Sequence, residues 1–321
     1  MALEVFITPK PCETIFSILT RAHILSGSLS PLTSLRNLTG HRGYKPLSSL
    51  PSNINHICDS LKLDVNPEQV IHEHTLFPFY KPFLPQGRCD FVLQGMLNSG
   101  ATKSRMGLLK SHCGAADQLA YCYECARGDV IRFGFPYWHR EHMLVGVEVC
   151  HLHKIPLTKI AMENSRFGTR CLQLPGEQRW CHGWSEIQFN KLCFVAEQLA
   201  LILNTKNNVF IEPQSYHALL LDNGLLTQFS HIRVKNLQLQ VDGWLRSLAD
   251  IAPFDNLFKA LSIERNWVAN LVAGKEGMHH PLKHIILWGS LNTDFKSLIN
   301  TLQKEEQLSL QLKTKTKPEI T

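Results

Sequence analysis

The sequence predicts a mainly α protein: an N-terminal helical domain (1–120), a central structural zinc-binding domain (121–160), a C-terminal helix-turn-helix-like helical domain (161–302) and a polar tail (303–321). Three observations carry this. Apolar residues recur at helical spacing through both ends of the chain. Cys122 and Cys125 form a C-x2-C knuckle answered by Cys150 and His153 in a C-x2-H knuckle. All ten cysteines lie at or before Cys193, so the last third is chemically a different region.

The N-terminal elements follow from periodicity and punctuation. Thr14 to Leu25 places Ile15, Ile18, Leu19, Ala22 and Leu25 on one helical face. Ser30-Pro31 opens a second helix carrying Leu32 and Leu35, with Gly40 and Gly43 after it. Pro51 begins a third, with Ile54, Ile57 and Leu61 inward. Asn66-Pro67-Glu68-Gln69 reads as a helix start: Asn66 as N-cap, Pro67 at the first position, Gln69 closing a capping box. That helix carries Val70 and Ile71 to His74. From Thr75 to Pro85, three prolines interrupt Phe77, Phe79, Tyr80 and Phe83. Proline breaks the helical ladder and aromatics call for burial, so a packed, irregular loop is expected, with an aromatic partner surface as the alternative. Arg88 to Leu97 is a further helix, and Lys103, Arg105 and Lys110 read as a solvated face.

Aromatic residues from Phe133 to Trp138 lie between the two knuckles, where they supply the core that so short a segment lacks. Ser185 to Gln188 gives a capping box opening a long helix through Leu192, Val195, Leu199 and Ile202. Shorter helices follow: Tyr216–Leu221, Ile232–Leu245 (periodic in Leu237, Leu239, Val241 and Leu245), Phe254–Leu261, Asn266–Val272, and a strong one opened by Pro281.

Three thiolates and one imidazole complete a tetrahedral zinc shell and leave no position for substrate water, so the metal is expected to be structural and no residue catalytic. His151 sits too close to Cys150 to close the usual chelate ring, and His139 and His142 are expected to pack or face solvent. Cys171, Cys181 and His182 lack a C-x2-C partner, and their thiols are expected to be buried. His139-Arg140-Glu141 resembles a deaminase motif superficially, but no P-C-x2-C follows it. Neither a G-x4-G-K-[ST] phosphate loop nor a G-x-S-x-G elbow occurs. The expectation is a binding protein, not an enzyme.

Paired knuckles in a chain of 321 residues fit metal ligation better than a disulfide framework, and a reducing bacterial cytoplasm, at the nucleoid, is inferred. The N-terminus does not read as a signal peptide, and no apolar run is long enough to span a membrane. The net charge of +6 permits an anionic partner without demanding one.

Several short segments together resemble the TniQ/TnsD family of transposition targeting proteins. They are Glu13-Thr14-Ile15-Phe16-Ser17 with Thr20-Arg21-Ala22, Gly40-His41-Arg42, and Glu73-His74-Thr75-Leu76-Phe77-Pro78. The zinc pattern follows in order, with Tyr137-Trp138-His139-Arg140 between its knuckles, and His280-Pro281-Leu282-Lys283-His284 comes late. Tyr123 and His151 stand where the family usually has proline, which touches loop shape and leaves the ligands intact. The resemblance implies an adaptor that marks a target and recruits the AAA+ ATPase regulator TnsC. One branch rides on an RNA-guided Cascade-type complex of a CRISPR-associated transposon; the other binds attachment-site DNA directly. A chain ending soon after its late helix favours the first, and TnsD-like N-terminal motifs favour the second. A homodimer fits the resemblance, and the N-terminal helices with the Thr75–Pro85 run are the expected TnsC-facing surface. DNA contacts are expected from Arg233, Lys235, Arg265, Lys275 and Lys283. Between His231 and Ile285 there are seven Lys/Arg against five Asp/Glu, thin for a lone sequence-specific binder and suited to specificity borrowed from a guide RNA. A stand-alone zinc-stabilised transcription regulator is the remaining alternative.

Overall fold

The computed structural model describes residues 6–41, 44, 47–98, 113, 118–161, 172–206, 209–261, 267–275 and 278–304. Helix α1 (Ile15–Leu25) starts where Thr14 accepts a hydrogen bond from the Ser17 amide, satisfying one donor of the first turn. Its buried face carries Ile15, Ile18, Leu19 and Ala22, but Leu25 is 59% exposed, because the helix has run past the core by then. Helix α2 (Pro31–Thr39) is capped by Ser30 and buries Leu35, while Leu32 faces out. Helix α3 (Ile54–Leu61) turns Ile54, Ile57 and Leu61 inward as the spacing predicts.

Helix α4 (Pro67–His74) is capped by Asn66, which accepts from the Glu68 amide. Gln69 does not close the expected box; its amide donates to Glu73 instead. The aromatic run is more regular than expected, with α5 (Phe77–Tyr80) followed by a 3-10 turn (Lys81–Phe83). Pro78 fits because a proline in a first turn removes an amide that has no partner there anyway. Phe77, Phe79, Tyr80 and Phe83 are all buried, so this run anchors the core and is not a partner surface. Helix α6 (Gln86–Leu97) follows. Lys103, Arg105 and Lys110 lie outside the described residues.

Strand β1 (Gln118–Tyr121) pairs antiparallel with β2 (Thr158–Ala161), Leu119 facing Ile160 and Tyr121 facing Thr158. Between them runs α7 (Tyr123–Phe133). Helix α8 (Glu186–Asn204) begins with the predicted capping box: the Gln188 amide donates to Ser185 Oγ at 3.3 Å and the Ser185 amide to Gln188 Oε1 at 2.9 Å. The C-terminal helices are α9 (His217–Asp222), α10 (Val234–Leu245), α11 (Phe254–Leu261), α12 (Trp267–Val272) and α13 (Pro281–Ser290), with residues 295–304 again helical. On α10, Leu237, Val241 and Leu245 are buried and Leu239 is exposed. Among the described residues no helix is long and apolar enough to cross a membrane.

One buried apolar cluster includes Ile7, Val149 and Ile299, so it passes through all three segments. Helix α8 packs on both α5 and α13, holding the two ends of the chain together. The aromatic run meets the late His-Pro-Leu-Lys-His segment directly. His280 lies edge-on to Phe79 and Tyr80 at 5.9 Å, and Phe83 lies 4.4 Å from His284. Gly146 shows how closely the segment between the two strands approaches: at φ +91° it tolerates the turn, and a Cβ there would stand 2.9 Å from Leu282 on α13.

His280 caps α13 by accepting from the Leu282 amide through Nδ1, which requires a neutral ring. Burial pushes it from the ordinary 6.5 down to about 3, with Lys283 adding to the effect. Burial also holds His284 well below the ordinary value, helped by His279, His280 and Lys283, while Tyr216 hydrogen-bonds its Nδ1. The unfolded chain therefore binds more protons than the folded one below 6.5. The stabilisation is complete above that value and is lost as pH falls toward 3, by about 1.4 kcal/mol per pH unit for each imidazole. Urea denaturation across this window is expected to show the fall, and His280→Asn, which keeps a capping acceptor, is expected to flatten it.

Candidate metal centre

Cys122 is the N-cap of α7 and Cys125 lies in its first turn, so one helix start projects both thiols to the same side. Gly134 ends that helix in the left-handed region at φ +83°, turning the chain into the aromatic loop. The second knuckle is a tight turn: the Lys154 amide donates to the Cys150 carbonyl at 2.9 Å and the Cys150 amide to the Ile155 carbonyl at 2.8 Å. The His153 amide points at Cys150 Sγ, 3.5 Å away. An amide aimed at a sulfur is the donor a metal thiolate takes.

The four predicted ligands converge, all donor atoms lying within 4.8 Å of one another. Nδ1 of His153 lies 3.5 Å from Cys122 Sγ, 3.3 Å from Cys125 Sγ and 3.6 Å from Cys150 Sγ. Cys125 and Cys150 are 3.8 Å apart. A zinc tetrahedron with ordinary bond lengths has sulfur–sulfur edges of about 3.8 Å and sulfur–nitrogen edges of about 3.6 Å. The donor set thus fits zinc in identity, number and spacing. The three cysteines are buried and His153 lies at the rim.

The thiols cannot all ionise unaided at this spacing. Hydrogen bonds from Cys122 and Cys125 hold Cys150 far below the ordinary thiol range. The same sharing pushes Cys125 far up, and Cys122 to about 11. A divalent cation removes the conflict by binding all three as thiolates. His142 is buried close by and adds to the lowering of Cys150, while its Nδ1 has no hydrogen-bond partner among the described residues. His139 binds Asp129 at 2.8 Å and stacks on Tyr137 at 4.4 Å. His151 stands outside the donor cluster. Cys181 is exposed, against the expectation of a buried thiol, because its segment runs over the surface. Cys171 lies outside the described residues.

A second polar assembly, not foreseen from sequence, ties this centre to the N-terminal helices. Glu13 is fully buried and accepts from Arg21 at 2.7 Å, Ser17 Oγ at 2.8 Å and the Lys10 amide at 2.8 Å. Burial pushes its carboxyl up, and Arg21 pulls it back. Arg21 also lies 4.3 Å over the Phe135 ring of the aromatic loop. Residues 12–14 pair with 138–140: the Thr14 amide donates to the Trp138 carbonyl and the Arg140 amide to the Cys12 carbonyl, each at 2.9 Å. The Glu13 carbonyl in turn bonds His74 at 2.8 Å. Arg140 donates to the carbonyls of His72 (2.5 Å) and Thr75 (3.2 Å) and to Asn204 Oδ1 (3.0 Å), placing its charge at the C-terminus of α4 and the end of α8. Most of the segments that carry the family resemblance are therefore internal framework. The sequence signal for it was the recurrence of Glu, Ser, Arg and His inside otherwise apolar stretches.

Of the expected DNA contacts, Arg233 and Lys235 are exposed where α10 begins, and Lys275 is exposed after α12. Lys283 is a correction. It is 4% exposed, with its ammonium 5.4 Å above the Trp267 ring, because α13 is buried on every side from Leu282 to Trp288. Arg265 lies outside the described residues.

Residues 4–157 match the TniQ family model, a span holding all four metal donors and the polar assembly around Glu13. The chain is also similar to the Transposon Tn7 transposition protein TnsD of Escherichia coli, with 25% identity over 323 aligned residues. That match covers 95% of this chain and 61% of the relative, so the chain spans about three fifths of the relative's length.

Proposed function

The chain belongs to the TniQ/TnsD family, and on that premise we propose that it is a non-catalytic adaptor that selects target sites for transposition. The observation that carries this is the closed donor set within the family domain. Three thiolates and one imidazole satisfy zinc completely, so the metal would hold a segment in shape and activate no water. Zinc at Cys122, Cys125, Cys150 and His153 would fix the turn geometry of both knuckles and the aromatic loop between them. The Glu13 and Arg140 assembly would then transmit that rigidity to the helices.

In this reading the adaptor links a Cascade-type guide complex to the AAA+ regulator TnsC on target DNA. The sparse basic surface favours borrowed specificity: seven Lys/Arg face five Asp/Glu between His231 and Ile285, and Lys283 is buried. A TnsD-like reading, with direct recognition of attachment-site DNA through the helix-turn-helix-like segment, draws on the similarity to TnsD and on exposed Arg233, Lys235 and Lys275. Pull-down of TnsC onto target DNA, with and without guide complex, separates them. Recruitment only with guide complex is expected. Recruitment by the protein alone, weakened by Arg233→Ala and Lys235→Ala, selects the direct route. No recruitment in any DNA context overturns the adaptor.

A further inference from the structure

The segment from Gln178 to Ser185 has no regular secondary structure, yet it is held at both ends. The Gln178 carbonyl accepts from Tyr121 Oη at 3.0 Å and Thr158 Oγ1 at 2.9 Å, tying it to the β-hairpin. Ser185 is fixed as the cap of α8. Between these anchors, Trp180, His182 and Trp184 alternate with Cys181 and Gly183, the spacing that puts side chains on one side of an extended chain. They form a column. His182 stacks on Trp184 at 4.0 Å with the planes 4° apart, and Trp180 lies beyond them with its centroid 5.8 Å from His182 and its plane tilted by 45°. Trp184 roots the column against the core, while Trp180 at its outer end is 52% exposed. Partial burial, with Lys159 nearby, lowers the His182 imidazole.

We propose that this column is a stacking platform for unpaired bases of a single-stranded nucleic acid, which extend it from the outer face of Trp180. The residues beside it in sequence, Gln178, Arg179, Gly183 and Ser185, are polar or small and exposed, so among the described residues no bulky apolar side chain of this segment covers the ring face. A flat, neutral base matches that face. Glu177 and Glu186 flank the column as well as Arg179, so its contribution comes from stacking and not from phosphate neutralisation. The choice of nucleic acid over other flat ligands rests on the target-selection reading above.

The test is fluorescence anisotropy of the full chain with labelled poly(dT), poly(rU) and a duplex of mixed sequence. Zinc content and melting temperature confirm that each variant is folded. The wild type is expected to bind the unpaired strands. Trp180→Ala is expected to weaken that binding about tenfold, with the loss persisting at high salt, while Trp180→Phe retains it and duplex binding is unchanged. The arms distinguish DNA from RNA. Equal affinity of wild type and Trp180→Ala, absence of strand binding by the wild type, or equal weakening on duplex overturns the proposal. So does loss of a protein partner with strand binding intact. A targeted-integration assay run beside it separates the two readings. Integration without strand binding removes the platform alone, whereas strand binding through Trp180 without targeted integration removes the adaptor alone.

Discussion

Cys150→Ser is expected to strip the protein of zinc and unfold the segment between the two strands, leaving a chain that is cleaved by protease from β1 to β2. The reason is the size of the metal contribution. Structural zinc binding is worth about 10–16 kcal/mol in small domains, against a total stability of about 5–15 kcal/mol for a typical protein. Cys150 is fully buried, and its sulfur lies 3.8 Å from that of Cys125 and 3.6 Å from Nδ1 of His153. Serine there would bury a poor ligand where a thiolate is needed. Loss spreads beyond the segment, because residues 138–140 pair with 12–14 and Gly146 abuts Leu282 on α13. Metal analysis together with circular dichroism checks it. His153→Cys, which keeps four soft donors, is expected to retain the metal. A Cys150→Ser protein that keeps one zinc and melts as wild type would contradict the assignment.

Glu13→Ala has the next largest effect. It leaves the Arg21 guanidinium, itself nearly buried, without its carboxylate, and removes the acceptors of Ser17 and of the Lys10 amide. Breaking one side of a buried pair costs about 3–5 kcal/mol, much of it the uncompensated charge left behind. Removing both charges is far milder, so Glu13→Leu combined with Arg21→Met is expected to recover most of the loss. Urea denaturation of Glu13→Ala and of the double variant reads this directly. Equal losses for Glu13→Ala and the double variant would show that packing, not charge, dominates at this junction.

The faces of α3 and α8 were legible because each has one apolar side against one polar side, and a periodicity of that kind survives in the sequence; in α1 the apolar stripe was legible too, but its polar side, Ser17, Thr20 and Arg21, is buried as well. The convergence of Cys122, Cys125, Cys150 and His153 was legible because chelation demands fixed local spacing, which the two knuckles have. What was hidden was long-range. Nothing local pairs the aromatic run of α5 with His280 and His284, which come together only in the packed core. Lys283 misled because a helix buried all round has no polar face to reveal a charged residue's direction, and its stem and ammonium lie along Trp267. Leu25 and Leu32 misled in the opposite sense, since their spacing continues an apolar stripe past the end of the core. The expected box at Gln69 failed for a local reason, because Glu73 one turn later offers its side chain a competing acceptor.

X-ray absorption at the zinc edge of the purified protein tests the central claim most directly. The account predicts three sulfur ligands at about 2.3 Å and one imidazole nitrogen at about 2.0 Å, with no oxygen in the shell. An oxygen ligand that exchanges with solvent or with added anions, or a shell with fewer than three sulfurs, would mean an open site and would contradict a purely structural centre.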